Sequence, residues 1–201
     1  MQNLIDTLHT TLVFGRRVRT LAAALGEMVP SGSEVLDVGC GDGQISAQLA
    51  NSGKGLSVRG IDVLIRPNCY IPVTQFDGNN IPFDDASFDL VIFVDVLHHT
   101  EDPAALLAEA KRVSRRYLLL KDHFRTGAIG NKTLRLMDWF GNAHHGVVLP
   151  YNYLSEPEWN QAYQRLGLKV VEIKRKLGLY PFPADLLFGR GLHFVALLEK
   201  R

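Results

Sequence analysis

The stretch "EVLDVGCGDG" (residues 34–43) joins a short apolar strand to a turn with three glycines, each one residue from the next. Ile45 and Leu49, four residues apart, indicate that a helix opens directly after the turn. A strand, a tight glycine turn and a helix are how α/β proteins present bare backbone amides to a ligand at the carboxyl edge of a sheet. This stretch therefore predicts an α/β fold and a ligand site together.

The rest of the chain alternates strand-like and helix-like segments. "FDLVIFVDV" (88–96) is nearly continuous in apolar residues, as a strand covered on both faces of a parallel sheet should be. Asp102 before Pro103 predicts the start of a helix, and Ser155 with Glu158 predicts a capping box for another. The other predicted strands are "SVRGIDV" (57–63), "VTQFD" (73–77), "RYLLLKD" (116–122), "LKVVEI" (168–173) and "HFVALLEK" (193–200). This alternation predicts a doubly wound, mostly parallel α/β sheet.

We expect one domain, 1–201, with four parts. An N-terminal helical cap covers 1–29, with its helix ending near Gly26, and a ligand-binding core covers 30–122. Residues 123–154 are too many for a plain connection and predict a lid or binding insert, in which Asn131 is expected to cap a short helix. Residues 155–201 supply a closing helix and two strands.

Composition excludes several classes of protein. Lys and Arg total 22 against 21 Asp and Glu, so the net charge is +1 and no stable binding of nucleic acid is expected. Two cysteines, Cys40 and Cys69, predict neither a disulfide framework nor a zinc site, and no metal is expected. The first residues lack the basic-then-apolar order of a signal peptide, and no apolar run approaches a membrane span. A cytoplasmic location is therefore expected.

The spacing of the glycines selects among nucleotide-derived ligands. A dinucleotide loop needs G-x-G-x-x-G, and its third glycine would fall on Gln44. "GDGQIS" (41–46) lacks the Gly-Lys-Ser/Thr of a phosphate loop, and Asp37 and Asp42 would repel a pyrophosphate. Carboxylates suit a cationic cofactor with an ammonium group, which describes S-adenosyl-L-methionine. Asp62 ends the next strand at the spacing expected for an acid that binds ribose hydroxyls.

The chain resembles the class I S-adenosylmethionine-dependent methyltransferases, in particular the group that includes quinone-biosynthesis and small-molecule methyltransferases. "VLDVGCGDG" (35–43) is similar to their first motif, "GIDV" (60–63) to the second, and "FDGNNIPFDDASFDLVIFVDVLHHTEDP" (76–103) to the following block. The resemblance implies a Rossmann-like, mostly parallel seven-stranded sheet with an antiparallel C-terminal hairpin. It also implies these cofactor-binding residues: Asp37, Gly39, Cys40, Gly41, Gly43, Asp62, Val63, Asp77, Gly78 and Asp95.

The resemblance also implies separate roles within that set. Asp62 binds the ribose, Asp77 faces the adenine amino group, Gly78 approaches the ring by its backbone, and Asp95 lies near the methionine moiety. The chain departs from the family between the second and third motifs, where a helix is usual. "VLIRPNCYIP" (63–72) carries two prolines and no helical period, which leaves the adenine contacts from this segment open.

Methyl transfer from a sulfonium is an in-line displacement that aligns the acceptor, excludes water and in some cases removes a proton. The candidate bases are five histidines: His98, His99, His123, His144 and His145. We choose His123 first and His99 second as catalytic residues, because strands deliver both to the edge that carries the glycine turn. Aromatic residues crowded in the insert predict a pocket for a partly apolar or ring-shaped acceptor, walled by Trp139, His144, Tyr151 and Tyr153.

The sequence favours a methyltransferase acting on a small organic acceptor at oxygen, nitrogen or carbon, and it leaves alternatives open. A nucleic-acid methyltransferase is disfavoured because "DVLH" (95–98) stands where Asn/Asp-Pro-Pro-Tyr/Phe is typical. A protein methyltransferase and a non-catalytic methyltransferase-like binding module remain, whereas Gln44 disfavours an NAD-dependent oxidoreductase. The N-terminal segment fits either a second lid or a homodimer contact, since it has apolar residues at helical spacing: Leu4, Ile5, Leu8 and Leu12.

Overall fold

The computed structural model describes residues 15–142, 150–189 and 191–201. The strands are β1 (Glu34–Val38), β2 (Ser57–Asp62), β3 (Val73–Gln75), β4 (Phe88–Val94), β5 (Ser114–His123), β6 (Leu168–Lys174) and β7 (His193–Lys200). The helices are α1 (Gly15–Met28), α2 (Gln44–Ala50), α3 (Pro103–Val113), α4 (Gly127–Asn142), α5 (Glu156–Arg165) and α6 (Asp185–Phe188), with a 3-10 turn at Leu97–His99. Among these residues, no helix combines the length and apolar character needed to cross a membrane.

Seven strands form one mixed sheet in the order β3-β2-β1-β4-β5-β7-β6. The first five are parallel, and β7 runs antiparallel to both β5 and β6. This confirms the predicted Rossmann-like sheet and its antiparallel C-terminal hairpin. The strand order reverses between β1 and β4, which opens the crevice where ligands of such sheets bind.

The alternation of side chains along the central strands divides the core between the two faces of the sheet. On β4, Leu90 and Ile92 pack in the cluster that holds buried residues of α1 and α2. Val91 and Phe93 pack in the other cluster, with α3 and with Trp159 of α5. A strand covered on both faces is apolar at nearly every position, which is why β4 is a nearly continuous apolar run, with Asp89 as its one charged residue.

Both predicted helix starts are confirmed. The Asp102 carboxylate accepts from the Ala104 and Ala105 amides, each at 3.0 Å. Ser155 and Glu158 form the capping box that opens α5. The first cap matters for the site, because it starts α3 directly after the 3-10 turn and so orients that turn at the end of β4.

Three details differ from the sequence prediction. The first helix runs past Gly26, where an added Cβ would make only an ordinary contact of 3.5 Å with Leu49. The insert helix begins at Gly127, so Asn131 lies inside it and the prediction of Asn131 as its cap is wrong. A short helix, α6, interrupts the connection between β6 and β7. Residues 63–72 contain no helix, as their prolines predicted.

Candidate functional site

The glycine loop between β1 and α2 takes a conformation that favours glycine. Gly39, Gly41 and Gly43 have φ of 71°, 61° and 78°. An added Cβ on Gly39 would lie 2.6 Å from Val96, and one on Gly43 would lie 2.4 Å from Ile71. Close packing therefore also requires glycine at these two positions. An added Cβ at Gly41 would meet nothing within 4 Å. The loop therefore opens at its middle glycine, where a ligand could approach the backbone.

Asp62 holds this loop from the end of β2. Its Oδ2 accepts from the Gly41 amide at 2.8 Å, and its Oδ1 accepts from the Leu64 amide at 2.9 Å. A carboxylate offers about four lone-pair sites, so capacity remains for the hydroxyls of a ligand. The structure thus brings Asp62 to the glycine loop, as an acid that binds a ribose there would require.

Val63, Asp77 and Gly78 lie beside one another next to this acid. An added Cβ on Gly78, whose φ is +88°, would lie 3.2 Å from Val63 Cγ1. Val63 is 54% exposed, which leaves an apolar surface beside the loop. The Asp77 carboxylate accepts from Asn79 and Asn80, and these hydrogen bonds lower the pKa of Asp77. That carboxylate shapes its own turn, and its approach to an adenine remains a prediction.

Asp37 lies buried beneath the glycine loop, where a nearby positive charge would stabilise its ionised carboxylate. Ser46 Oγ donates to its Oδ2 at 2.6 Å, while its buried Oδ1 has no hydrogen-bond partner among the described residues. Burial raises the pKa of Asp37 to about 7. A buried carboxylate oxygen without a donor is stabilised by a proton or a nearby cation, so the loop fits a cationic cofactor.

Cys40 packs against β2 rather than acting as a nucleophile. An added Cβ on Gly60 would lie 2.4 Å from its Sγ, so this glycine is small to make room for the thiol. Burial raises the pKa of Cys40, which therefore stays a thiol near neutral pH.

Asp95 follows β4 with a left-handed φ of 59° and binds two cations of the chain itself. Arg17 of α1 and Lys121 of β5 both form ion pairs with its carboxylate. Burial raises the pKa of Asp95, but these cations outweigh it and hold the pKa well below its usual range. Sequence reasoning missed both partners, although Lys121 stands out as a cation directly after three leucines of β5.

Four histidines meet beyond the carboxyl ends of β4 and β5. The His98 and His123 ring centroids are 4.8 Å apart, and those of His123 and His193 are 4.7 Å apart. Asp122 Oδ1 lies 2.7 Å from His98 Nδ1 and 3.3 Å from His123 Nδ1. His99 stacks obliquely on His98 at 4.1 Å. Both predicted catalytic histidines therefore lie in one group, which we call the histidine cluster (His98, His99, His123 and His193), with His99 half-buried and the other three buried.

The cluster holds imidazoles that differ in charge near neutral pH, one cationic and one neutral. Burial opposes a charge on His98, but Asp122 and Asp138 outweigh it and raise the pKa of His98 to about 10. Burial and the charge of Lys121 lower the pKa of His123 to about 4. With no metal ion bound, His123 is therefore neutral near neutral pH, whereas His98 carries a second proton and a positive charge.

Helix α4 closes over the cluster through Asp138, which sequence reasoning also missed. Asp138 Oδ1 lies 3.7 Å from His98 Nε2 and 3.4 Å from His99 Nε2. Tyr153 OH donates to Asp138 Oδ2 at 2.7 Å, and its ring stacks on that of His98 at 5.1 Å. The only sequence signal was an acid between the apolar residues of "LMDWF" (136–140).

The predicted pocket residues separate in the structure. Tyr153 is buried against the cluster, and Tyr151 is half-buried under the Arg135 guanidinium, 4.5 Å from its ring centroid. Trp139 is 53% exposed, so most of its surface does not wall a buried pocket. His144 lies outside the described residues. A cavity of about 440 Å³ opens beside the two tyrosines, and none of the four clustered histidines lines it.

A second and larger cleft lies elsewhere. It measures about 610 Å³ and is lined by residues of α1, including Arg19 and Glu27, and by Lys174, Lys176 and Leu177. None of the predicted cofactor, catalytic or acceptor residues lines it. Its size alone does not make it the site, because the convergent polar groups lie at the carboxyl edge of the sheet.

Comparison with known proteins places the chain in a family. Residues 13–173 match the family model described as a methyltransferase domain. The chain is 32% identical over 123 residues to the bifunctional methionine biosynthesis protein MetXA/MetW of Rhodopirellula baltica, covering 50% of this chain and 20% of that protein. It is 35% identical over 103 residues to phthiotriol/phenolphthiotriol dimycocerosates methyltransferase 1 of Mycobacterium ulcerans, covering 46% and 38%. The chain thus spans well under half the length of these relatives.

Two solved structures share the fold. An S-adenosylmethionine dependent methyltransferase from Mesorhizobium loti superposes with a TM-score of 0.65 at 21% identity, covering 89% of this chain and 96% of that one. The 1,6-didemethyltoxoflavin-N1-methyltransferase of Burkholderia thailandensis, solved with 1,6-didemethyltoxoflavin and S-adenosylhomocysteine, gives 0.65 at 19%, covering 98% and 87%. With the matched family model, the seven-stranded sheet and the open glycine loop, this chain belongs to the methyltransferase domain family, in its class I S-adenosylmethionine-dependent form.

Proposed function

We propose that the chain transfers a methyl group from S-adenosylmethionine to a small organic acceptor at the crevice between the glycine loop and the histidine cluster. The observation that carries this proposal is that the open backbone at Gly41, the acid Asp62 and the neutral base His123 all follow the carboxyl ends of parallel strands. When bound, the cofactor supplies a methyl group on a positively charged sulfur. The residues of the chain hold and align the two reactants.

The cofactor side of the crevice supplies backbone and negative charge. Gly41 leaves room for close approach, and Asp62 offers acceptor sites for ribose hydroxyls. Asp37 and the neighbouring Asp62 make the potential at the loop negative, which favours a ligand with a sulfonium and an ammonium group over a pyrophosphate. In this proposal Val63 and Gly78 border the adenine, since they lie together next to Asp62.

The acceptor side supplies a base. His123 Nδ1 faces Asp122 Oδ1 at 3.3 Å, and donation of its proton to that carboxylate leaves Nε2 as the nitrogen that accepts a proton. Asp122 thereby orients the ring and stabilises the imidazolium that forms. Removal of a proton from a hydroxyl or ammonium group of the acceptor makes it a better nucleophile for the in-line displacement. Tyr153 borders this base at a ring distance of 5.8 Å.

A small organic acceptor fits better than a macromolecule. The net charge of +1 lacks the positive field that nucleic-acid substrates require. The relatives from Mycobacterium ulcerans and Burkholderia thailandensis are named as methyltransferases of phthiotriol/phenolphthiotriol dimycocerosates and of 1,6-didemethyltoxoflavin, which supports an organic acceptor here. A cytoplasmic location remains a prediction.

A pair of variants tests the proposal by separating binding from turnover. Asp62→Ala should weaken S-adenosylhomocysteine binding by about 1–3 kcal/mol, because it removes a carboxylate that accepts hydrogen bonds. His123→Gln should bind S-adenosylhomocysteine like the wild type yet transfer methyl groups roughly a hundredfold more slowly, because it removes the base. Calorimetry measures the first, and transfer of labelled methyl groups to a panel of small phenols, amines and acids measures the second.

Each outcome has a definite reading. Unchanged affinity in Asp62→Ala would show that this acid does not bind the ribose. Equal turnover in His123→Gln would remove it as the base and leave His99 as the alternative. Tight S-adenosylhomocysteine binding without transfer to any acceptor would favour a non-catalytic binding module.

A further inference from the structure

Three side chains, two from the histidine cluster and one from α4, bring possible metal-ligand atoms close together. Asp138 Oδ1 lies 3.4 Å from His99 Nε2 and 3.7 Å from His98 Nε2, and one ligand atom from each residue fits within 4.8 Å of the others. We propose that His98, His99 and Asp138 bind a divalent transition-metal ion, with zinc, iron, cobalt or manganese as the class of ion that two imidazoles and one carboxylate select. The sequence predicted no metal, because these ligands come from two distant segments.

The distances fit a shared ion better than direct hydrogen bonds. Metal bonds of about 2.0–2.2 Å at a tetrahedral angle separate neighbouring ligand atoms by roughly 3.4 Å. The separation between His99 Nε2 and Asp138 Oδ1 is 3.4 Å, and that between His98 Nε2 and Asp138 Oδ1 is 3.7 Å, beyond hydrogen-bonding distance. A small closure onto an ion would bring all three atoms within bonding reach.

A positive charge between His98 Nε2 and Asp138 Oδ1 is electrostatically favourable. His98 Nδ1 lies 2.7 Å from Asp122 Oδ1 and donates to it, so Nε2 is the nitrogen directed at Asp138. A neutral His98 would direct the Nε2 lone pair at a second carboxylate, and the two would repel each other. Either a proton on Nε2 or a cation between the two groups removes that repulsion. The metal ion is the cation that lies between His98 Nε2 and Asp138 Oδ1.

The groups behind the ligands are those that usually orient metal ligands. Asp122 accepts from the far nitrogen of His98, which fixes its tautomer and ring orientation. Tyr153 OH donates to Asp138 Oδ2 at 2.7 Å, and Oδ1 is the oxygen that faces both imidazoles. His99 differs, since its buried Nδ1 has no hydrogen-bond partner among the described residues and its Nε2 faces Asp138.

A neighbouring trio fits less well. His98 Nδ1, Asp122 Oδ1 and His123 Nδ1 also converge, but the first two atoms are only 2.7 Å apart, the length of a hydrogen bond. The buried ammonium of Lys121 also acts on His123 and lowers its pKa. A second cation there would be repelled, so the ion belongs on the His99 side.

The site has a role in the reaction if the proposed function holds. Three protein ligands leave at least one coordination position open, and His99 lies on the side of the cluster that is partly exposed. A hydroxyl of the acceptor bound in that position would lose its proton more easily and would be held in one orientation. His99 then serves as a ligand, and His123 alone remains as the base.

The test is cobalt binding to the full chain, stripped with a chelator and free of S-adenosylmethionine. Visible absorption and calorimetry should show one tight Co²⁺ per chain, displaced by Zn²⁺. His99→Gln and Asp138→Asn should each weaken binding roughly tenfold or more. His193→Gln is the matched control, because its ring contacts His123 but lies outside the trio, and it should bind Co²⁺ like the wild type.

Two results would overturn the site. Failure of the wild type to take up Co²⁺ would mean that His98 holds a proton in this place. Undiminished binding in both His99→Gln and Asp138→Asn would put the ion elsewhere, and a double variant of His144 and His145 to Gln would show whether it lies on that pair. Circular dichroism confirms that each variant folds. Because no cofactor is present, this outcome is independent of whether the chain is a methyltransferase.

Discussion

At the scale of the residue, Gly41 and Gly43 share a left-handed backbone but serve different needs. Packing requires a glycine at position 43, since an added Cβ would lie 2.4 Å from Ile71. Gly41 faces open space, so a side chain at this position would clash with a bound ligand but not with the described chain. Motif glycines can therefore be divided into those required by the fold and those required by the ligand.

Comparison of Gly41→Ala with Gly32→Ala separates the effect of an added side chain on cofactor binding from its effect on folding. Gly32 has a φ of +74° and also nothing within 4 Å of an added Cβ, but it lies in the turn before β1. Both variants should lose about 1–2 kcal/mol of folding free energy, the cost of a left-handed alanine. Only Gly41→Ala should lose S-adenosylhomocysteine affinity, by roughly tenfold or more in calorimetry. Equal affinities in the two variants would mean that the space beside Gly41 is not the cofactor's.

Asp37 predicts a pH dependence of cofactor binding. Burial raises its pKa to about 7, and Asp62, the other charge that faces it, adds to the rise while Ser46 opposes it. A cationic ligand favours the ionised form, so binding near pH 7 should release a fraction of a proton, and affinity should increase as the pH rises through about 7.

Calorimetry in two buffers of different ionisation enthalpy measures that proton release. Asp37→Asn is the control, because it cannot ionise and should bind with neither proton release nor this pH dependence. The same shift makes the folded chain less stable as the pH rises from about 4 to 7, since the unfolded carboxyl ionises more readily. Buffer-independent heats in the wild type would show that the ligand's charge does not reach Asp37.

At the scale of the element, the ends of β4 and β5 are joined by charge as well as by backbone hydrogen bonds. Lys121 lies in β5 with only 1% of its side chain exposed and pairs with Asp95, which follows β4. Burial lowers the pKa of Lys121, and the carboxylate opposes that shift. Arg17 brings the first helix to the same carboxylate. One acid thus ties two strands and a helix together at the edge that carries the site.

Lys121→Met should therefore be costly. Removal of Lys121 leaves Asp95 partly buried with Arg17 and with the His123 ring, whose Nδ1 is 3.6 Å away, and we expect a loss of about 3 kcal/mol in urea unfolding. Arg115→Met is the matched control, because Arg115 forms exposed ion pairs with Glu34 and Asp89 that contribute about 0–1 kcal/mol. Similar losses in the two variants would contradict a structural role for the buried pair.

At the scale of the whole molecule, the order of the strands decides where the chemistry lies. The reversal between β1 and β4 puts the glycine loop and the histidine cluster on either side of one crevice. In the proposed function, these two separate sequence motifs form the two halves of one site. A ligand bound in this crevice contacts several strands and should stabilise the whole fold.

A thermal-shift panel tests that stabilisation. S-adenosylmethionine or S-adenosylhomocysteine at 100 times its dissociation constant should add about 2.7 kcal/mol, which for a chain of this size raises Tm by roughly 5–10 °C. NAD at the same concentration is the control and should leave Tm unchanged, because the loop lacks the third glycine of a dinucleotide site. Stabilisation by NAD, or by none of the three, would contradict the assignment of the loop.

The sequence by itself determined the parts of this protein that depend on near neighbours in the chain. The apolar run of β4, the cap at Asp102 and the glycine loop with Asp62 are all confirmed, because strand burial, helix capping and tight turns are local. The order of these elements also indicated the sheet, since strands that alternate with helices form parallel sheets.

Only the tertiary structure decided which distant side chains meet. Asp138 joins His98 although their numbers differ by forty, and Trp139, its neighbour in the chain, is exposed instead. The phase of α4 against the sheet makes that choice, since adjacent helix residues face different directions. The partners of Asp95 were hidden for the same reason. Local periodicity specifies each element, but the contacts that create charge pairs and ligand sets depend on how the elements pack.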